Sequence, residues 1–173
     1  MLGSVPAPWW CGYAILGLVA GQRIAELLIA NRNTRALMLR GAVEVGATHY
    51  PFIVALHAAW LVSLVGWVSM SAVQINLALL AVFVGLQLAR LWILRTLGRF
   101  WTTRIITLPG APLIRSGPYR FLRHPNYLVV VLEIAVLPLV LGAWPIAVAF
   151  SILNACLLVV RIRAEELALA QRS

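Results

Sequence analysis

Lysine and aspartate are absent from the 173 residues: every fixed positive charge is one of 14 arginines, and every acid is one of five glutamates. Charged residues make up only 11% of the chain and hydrophobic ones 62%. That excludes an ordinary soluble domain and places the chain in the membrane class. The net charge of +9 does not mark a nucleic-acid binder, because the arginines lie between apolar runs rather than along one basic face. Anionic headgroups and topology account for them. Cysteine is scarce too. Cys11 and Cys156 both fall inside apolar runs, which excludes a cysteine zinc site and a disulfide framework and leaves them as packing residues. No GxGxxG follows a strand and no GxxxxGK[ST] occurs, so neither a Rossmann fold nor a P-loop is present. The opening MLGSVPAPWW has no basic region, so the first apolar run is read as a retained span rather than a signal peptide.

What is present is a set of five apolar runs, at about 9–30, 50–71, 75–95, 126–143 and 146–162, each long enough or nearly so to cross a bilayer. They predict an all-α integral membrane protein of five transmembrane helices, a single transmembrane domain over 1–173. The connections differ in charge. Residues 31–49 carry Arg32, Arg35 and Arg40, residues 95–124 carry six arginines, and the tail carries Arg161, Arg163 and Arg172. SMSAVQ and LGAWP carry none. The positive-inside rule then puts the N-terminus outside, with both arginine-rich loops and the tail in the cytoplasm, as in a prokaryotic inner membrane. The turn at Gly142, Trp144 and Pro145 is so short that the last two spans are expected to form a tight antiparallel hairpin. Such a reversal sets Glu133 level with Asn154 and His124 level with Arg163, and brings RHPNY beside RIRAEE.

Several polar residues sit within these runs. Glu133 and Asn154 lie roughly 13 Å inside the cytoplasmic end of the hairpin. An acid at that depth is a functional candidate, or else an interhelical hydrogen bond to Asn154 locks the hairpin. Asn154, Leu158, Arg161 and Glu165 form one helical stripe. Arg163 points away, and Glu166 lies to one side. RIRAEE also reads as snorkelling arginines with solvated acids, but its acids sit at a helix C-terminus, where the macrodipole disfavours them. Arg23 and Glu26, three apart, read as a local ion pair. His57 reads as a packing residue or a base, and with Gln87 and Arg90 these residues suggest a polar cavity open to the cytoplasmic side. The 30-residue segment 95–124 is long enough to be functional in itself.

SGPYRFLRHPNY, a helical hairpin and then RIRAEE together resemble the isoprenylcysteine carboxyl methyltransferase family, over residues 111–166. The family comprises integral membrane enzymes that use S-adenosylmethionine and is related to membrane phospholipid methyltransferases. The resemblance implies a cytoplasmic cofactor pocket built from about 104–166. In it Ala111, Pro112, Leu113, Ile114, Tyr119, His124, Pro125, Asn126, Tyr127 and Glu165 would hold S-adenosylmethionine, and Arg161 would face the acceptor. The expected reaction is O-methylation of a lipophilic acceptor, either an isoprenylcysteine-type carboxylate or a lipid phenol or pyrone. Arg161, Glu166 and Glu133 are the catalytic candidates; Arg161, Asn154 and His57 are the acceptor-binding ones. No metal is implied. Membrane sterol and steroid reductases that use NADPH carry a motif similar to RHPNY, which makes an NADPH-dependent sterol or lipid reductase the nearest rival. A small lipid-binding or transport protein is the rival from another class.

Overall fold

A computed structural model describes residues 4–111 and 114–170. The architecture is helical: α1 (Trp9–Met38), α2 (Tyr50–Met70), α3 (Leu77–Leu97), α4 (Pro125–Val140) and α5 (Trp144–Ala170). Four stretches are long and apolar enough to cross a membrane, namely Trp9–Met38, Ala47–Met70, Leu77–Phe100 and Trp144–Leu167. The fifth helix, α4, has 16 residues, about 24 Å against a hydrocarbon thickness of about 30 Å. It is also the most enclosed, packing against both α3 and α5 with Ile134, Leu137 and Val140 almost wholly buried.

α1 continues well past its apolar run because nothing in NRNTRALM breaks a helix; the chain turns only at Gly41, at φ +84°. Asn33 ties this extension to the end of α3, donating to the carbonyls of Gly98 (3.0 Å) and Trp101 (2.9 Å). Leu16, Val19, Trp60, Leu64, Phe83 and Leu137 form the main apolar core. Large apolar side chains such as Leu18, Ile24, Phe52, Val62 and Leu88 face outward, which suits a lipid surround rather than water.

The sequence does not announce two short antiparallel ribbons. β1 (Ser4–Pro6), just before α1, pairs with β3 (Gln74–Asn76), just before α3. At the other end β2 (Val43–Val45), after α1, pairs with β4 (Ile105–Thr107), after α3. Three-residue strands have no readable periodicity; their pairing comes from two parallel helices that bring their flanking loops together at each end. The β2–β4 ribbon is fastened by Arg104, whose Nη1 lies 3.0 Å from each carboxylate oxygen of Glu44.

Three residues separate α4 from α5, with Gly142 at φ +72°. The turn closes through Ala143 N–H to Pro138 O at 2.8 Å.

The candidate active site

The segment before α4 shapes the site. Gly117 adopts φ +55°, and a Cβ there would lie 2.5 Å from Thr96 Oγ1, so only glycine lets this turn press against α3. Pro118 is then buried in a short helical turn that delivers Tyr119. Pro125 opens α4, at a position where a missing N–H costs nothing. His124 just precedes it and stacks on Tyr127, with ring centroids 5.3 Å apart and planes 19° off parallel.

From the other side the end of α5 brings its stripe to meet this turn. The Tyr127 hydroxyl donates to Glu165 Oε2 and accepts from Arg161 Nε at 2.9 Å. Arg161 Nη2 donates to Thr103 O at 2.7 Å. His124 Nδ1 lies 3.8 Å from Glu165, and its Nε2 lies 3.8 Å from Glu166. Glu166 is half exposed at the rim, 4.0 Å from Arg123. Burial first, and then the negative charge of Glu165, push the Tyr119 phenol above its ordinary value. It therefore keeps its proton, and its role as a hydrogen-bond donor, to higher pH than an exposed tyrosine does.

Two cavities meet here. A cleft of about 820 Å³ is lined from the 104–126 segment and the end of α5. An inner cavity of about 350 Å³ lies among α1, α2, α4 and α5, with mostly apolar walls. Trp101, Thr102, Asn126, Tyr127 and Arg161 border both. Arg161 is thus part of the partition between them.

The cleft gathers Ala111, Ile114, Tyr119, His124, Asn126, Tyr127 and Glu165 along one wall, with Glu166 and Arg161. Pro125 serves α4 instead and does not line it. Pro112 and Leu113 lie outside the described residues. Asn154 and His57 line the inner cavity, not the cleft. His57 is locked in one tautomer, its Nδ1 2.8 Å from Ile53 O.

Glu133 is elsewhere. Its carboxylate takes Arg90 Nε (2.9 Å), Gln87 Nε2 (2.9 Å) and Arg23 Nη2 (2.8 Å), and also Arg90 Nη2. Glu26 completes the cluster, with Arg23 Nη1 at 2.9 Å and Arg90 Nη1 at 3.1 Å. Two arginines and two glutamates so cancel their charge inside the bundle. Glu133 is 1% exposed and borders neither cavity. This corrects the expectation of a catalytic Glu133: both of its oxygens are already bonded, so it has no free lone pair to take a proton. Nor does Glu133 bond to Asn154: its hydrogen bonds go to Arg90, Gln87 and Arg23.

The sequence reading misses Trp101, Thr103 and Tyr50. Thr103 holds Arg161 through a backbone carbonyl and Tyr50 through its hydroxyl at 3.0 Å, and a backbone carbonyl leaves no trace in residue type. The four intramembrane charges summing to zero are the signal that would have paired Glu133 with arginines.

The fit to S-adenosylmethionine can be tested on the cleft itself. Its volume falls within the roughly 300–1,000 Å³ usual for small-molecule sites. Trp101 Nε1, His124 Nε2 and Asn126 Oδ1, all on lining residues, are buried without a hydrogen-bond partner. Such atoms call for a polar ligand. Glu165 and Glu166 suit its cationic groups, and Arg115 and Arg120 suit its carboxylate. The residues fit.

The family model described as the isoprenylcysteine carboxyl methyltransferase (ICMT) family matches residues 76–171. A Bacillus subtilis (strain 168) protein described as uncharacterized protein YpbQ is 40% identical over 164 residues, 93% of this chain and 98% of that one. An uncharacterized protein of Haemophilus influenzae is 27% identical over 155 residues, 86% of this chain and 88% of that one. No solved structure matches significantly.

Proposed function

Because the chain belongs to the isoprenylcysteine carboxyl methyltransferase family, whose members use S-adenosylmethionine, we propose that it O-methylates a lipophilic acceptor at the partition between its two cavities. The family and the four apolar helices make it a multi-pass membrane protein. In the proposed topology all five helices cross, α4 and α5 as an antiparallel hairpin, with the cleft opening to the cytoplasm of a prokaryotic cell. The acceptor is either an isoprenylcysteine-type carboxylate or a lipid phenol or pyrone, reaching the inner cavity from the bilayer.

The observation that carries the reading is that Arg161 borders both cavities and is held there by Tyr127 and Thr103. When bound, S-adenosylmethionine supplies an electrophilic methyl group on a sulfonium. The protein's part is alignment in a dry site, which alone can supply most of such a displacement's acceleration. Glu165, with His124 and Asn126 behind it, holds the cleft ligand. Arg161 turns its guanidinium toward an anionic acceptor oxygen, a geometry suited to a carboxylate or phenolate. A hydroxyl acceptor loses its proton to Glu166, whose exposed rim position lets it pass the proton to water. The apolar walls of the inner cavity exclude water as a competing acceptor.

Calorimetric titration of the detergent-purified protein with S-adenosylmethionine, S-adenosylhomocysteine and NADPH, repeated on Glu165→Ala, tests this. Binding of the adenosyl compounds, lost in the variant, is the expected result. Binding of NADPH alone would reassign the protein to the reductases.

A further inference from the structure

The inner cavity has polar groups at both ends. At its outer end stand Arg161 and Tyr127. On α5, Asn154 lies seven residues deeper than Arg161, and on α2, His57 lies seven residues deeper than Tyr50, which Thr103 ties to Arg161's level. At 1.5 Å per residue both are about 10 Å further in. Leu157, Leu158, Val54, Ala58 and Val130 form the apolar wall between the two ends.

The inner end is polar and unsatisfied. Asn154 is only 5% exposed, lines the cavity and has no hydrogen-bond partner among the described residues. A bare amide at this depth is costly, since no lipid group can pair with it. His57, fixed with its Nδ1 proton on Ile53 O, keeps Nε2 as a free acceptor. Arg23, which also lines the cavity, has its Nε buried without a partner. The charged groups beside them are committed to one another: Glu26 to Arg23 and Arg90, and Arg90 to Glu133. The free acceptor capacity of the floor therefore belongs to Asn154 and His57, with Arg23 Nε beside them as an unpaired donor.

Resting on the proposed methyltransferase reading, we propose that Asn154 and His57 form a second polar subsite, which binds a hydroxyl or carbonyl group of the acceptor about 10 Å deeper than its methylated oxygen. The acceptor is a lipophilic molecule with polar groups at two separated points. A plain alkyl or prenyl chain directed at this floor would strand the Asn154 amide. The subsite fixes how far the acceptor enters, and with it the height of its reacting oxygen at Arg161.

The test uses the full chain in lipid nanodiscs, saturated with S-adenosylhomocysteine, and two tritiated probes of equal length, 4-pentylphenol and 4-(4-hydroxybutyl)phenol. Without a polar floor the more apolar probe binds tighter, because it gains more by leaving water. With the subsite, the hydroxybutyl probe binds about tenfold tighter, as expected for a well-made buried hydrogen bond. Asn154→Leu and, separately, His57→Phe each remove most of that preference, with S-adenosylhomocysteine affinity as the control for folding. Equal or tighter binding of 4-pentylphenol to the wild type would overturn the subsite and leave water as the occupant of the floor. So would a preference that survives in both variants, or failure of both probes to bind while S-adenosylhomocysteine binds. If S-adenosylhomocysteine itself does not bind, the methyltransferase reading fails first and the subsite falls with it.

Discussion

The Tyr127 hydroxyl joins Arg161 to Glu165, accepting from the guanidinium and donating to the carboxylate. One phenol at the start of α4 thereby sets the position of two side chains near the end of α5, one bordering both cavities and the other in the cleft. Tyr127→Phe keeps the ring and its stack on His124 but loses both hydrogen bonds. Removing two bonds to charged groups is expected to weaken S-adenosylmethionine binding about tenfold or more. Arg161→Ala is expected to abolish methyl transfer with cofactor affinity largely retained, since Thr103 and Tyr127 would lose a partner but Glu165 would not. Titration of both variants beside a turnover assay separates the two roles; near-normal turnover in Arg161→Ala would remove the acceptor role from that residue.

The intramembrane ion cluster makes a second, structural prediction. Glu133 accepts from Arg90, Arg23 and Gln87 at 1% exposure. Glu133→Leu leaves two guanidiniums sharing only Glu26, and an uncompensated buried charge costs about 3–5 kcal/mol. The variant should unfold at markedly lower temperature in detergent. The paired change Glu133→Leu with Arg90→Met removes one charge of each sign and should recover much of that loss, as apolar replacements of buried pairs often do. Thermal unfolding of the two single variants and the double variant measures the coupling; a double variant no better than the singles would argue against the cluster acting as a unit.

The membrane class was legible because it depends on composition: long apolar runs and arginines gathered mostly between them need no tertiary information. The family was legible because its pattern is local in the chain: SGPYRFLRHPNY, a helical hairpin and then RIRAEE, all within residues 111–166. The location of Glu133's partners was not. Arg23 and Arg90 lie 110 and 43 residues away in sequence, and the hairpin argument could only relate residues within α4 and α5. The same limit hid the β2–β4 ribbon and the Thr103 carbonyl that holds Arg161, since both contributions are backbone groups. Helix depth was readable from counting; helix neighbours were not.

Gly117 gives a local test of the turn that carries Tyr119. Its φ of +55° and the 2.5 Å approach of a Cβ to Thr96 Oγ1 penalise any side chain twice. Gly117→Ala should cost about 1–3 kcal/mol if the strain stays local. Because the turn sits on the cleft wall, cofactor affinity should fall along with stability. The companion Thr96→Ala removes the clashing hydroxyl, and combined with Gly117→Ala it should restore part of the loss. No rescue would mean that backbone strain, not the clash, dominates.

The absence of lysine makes the alkaline limb of stability readable, since between pH 9 and 12 only tyrosines and the two cysteines are left to titrate. Tyr119 is pushed above its ordinary value by burial and then by Glu165. In the unfolded chain it ionises near pH about 10, whereas in the folded protein it holds its proton to higher pH. The sign follows from linkage: below that pH both states are protonated and Tyr119 adds no pH dependence. Above it the unfolded state sheds a proton that the folded state keeps, so stability falls as pH rises toward the folded value. Tyr119→Phe cannot ionise in either state and should flatten this part of the curve. The measurement is the thermal midpoint in detergent from pH 8 to 11.5, wild type against Tyr119→Phe. The curves are expected to run parallel up to about pH 9.5 and to diverge above it, with the wild type falling faster. Parallel curves throughout would mean that the phenol is better solvated than its place beside Glu165 implies.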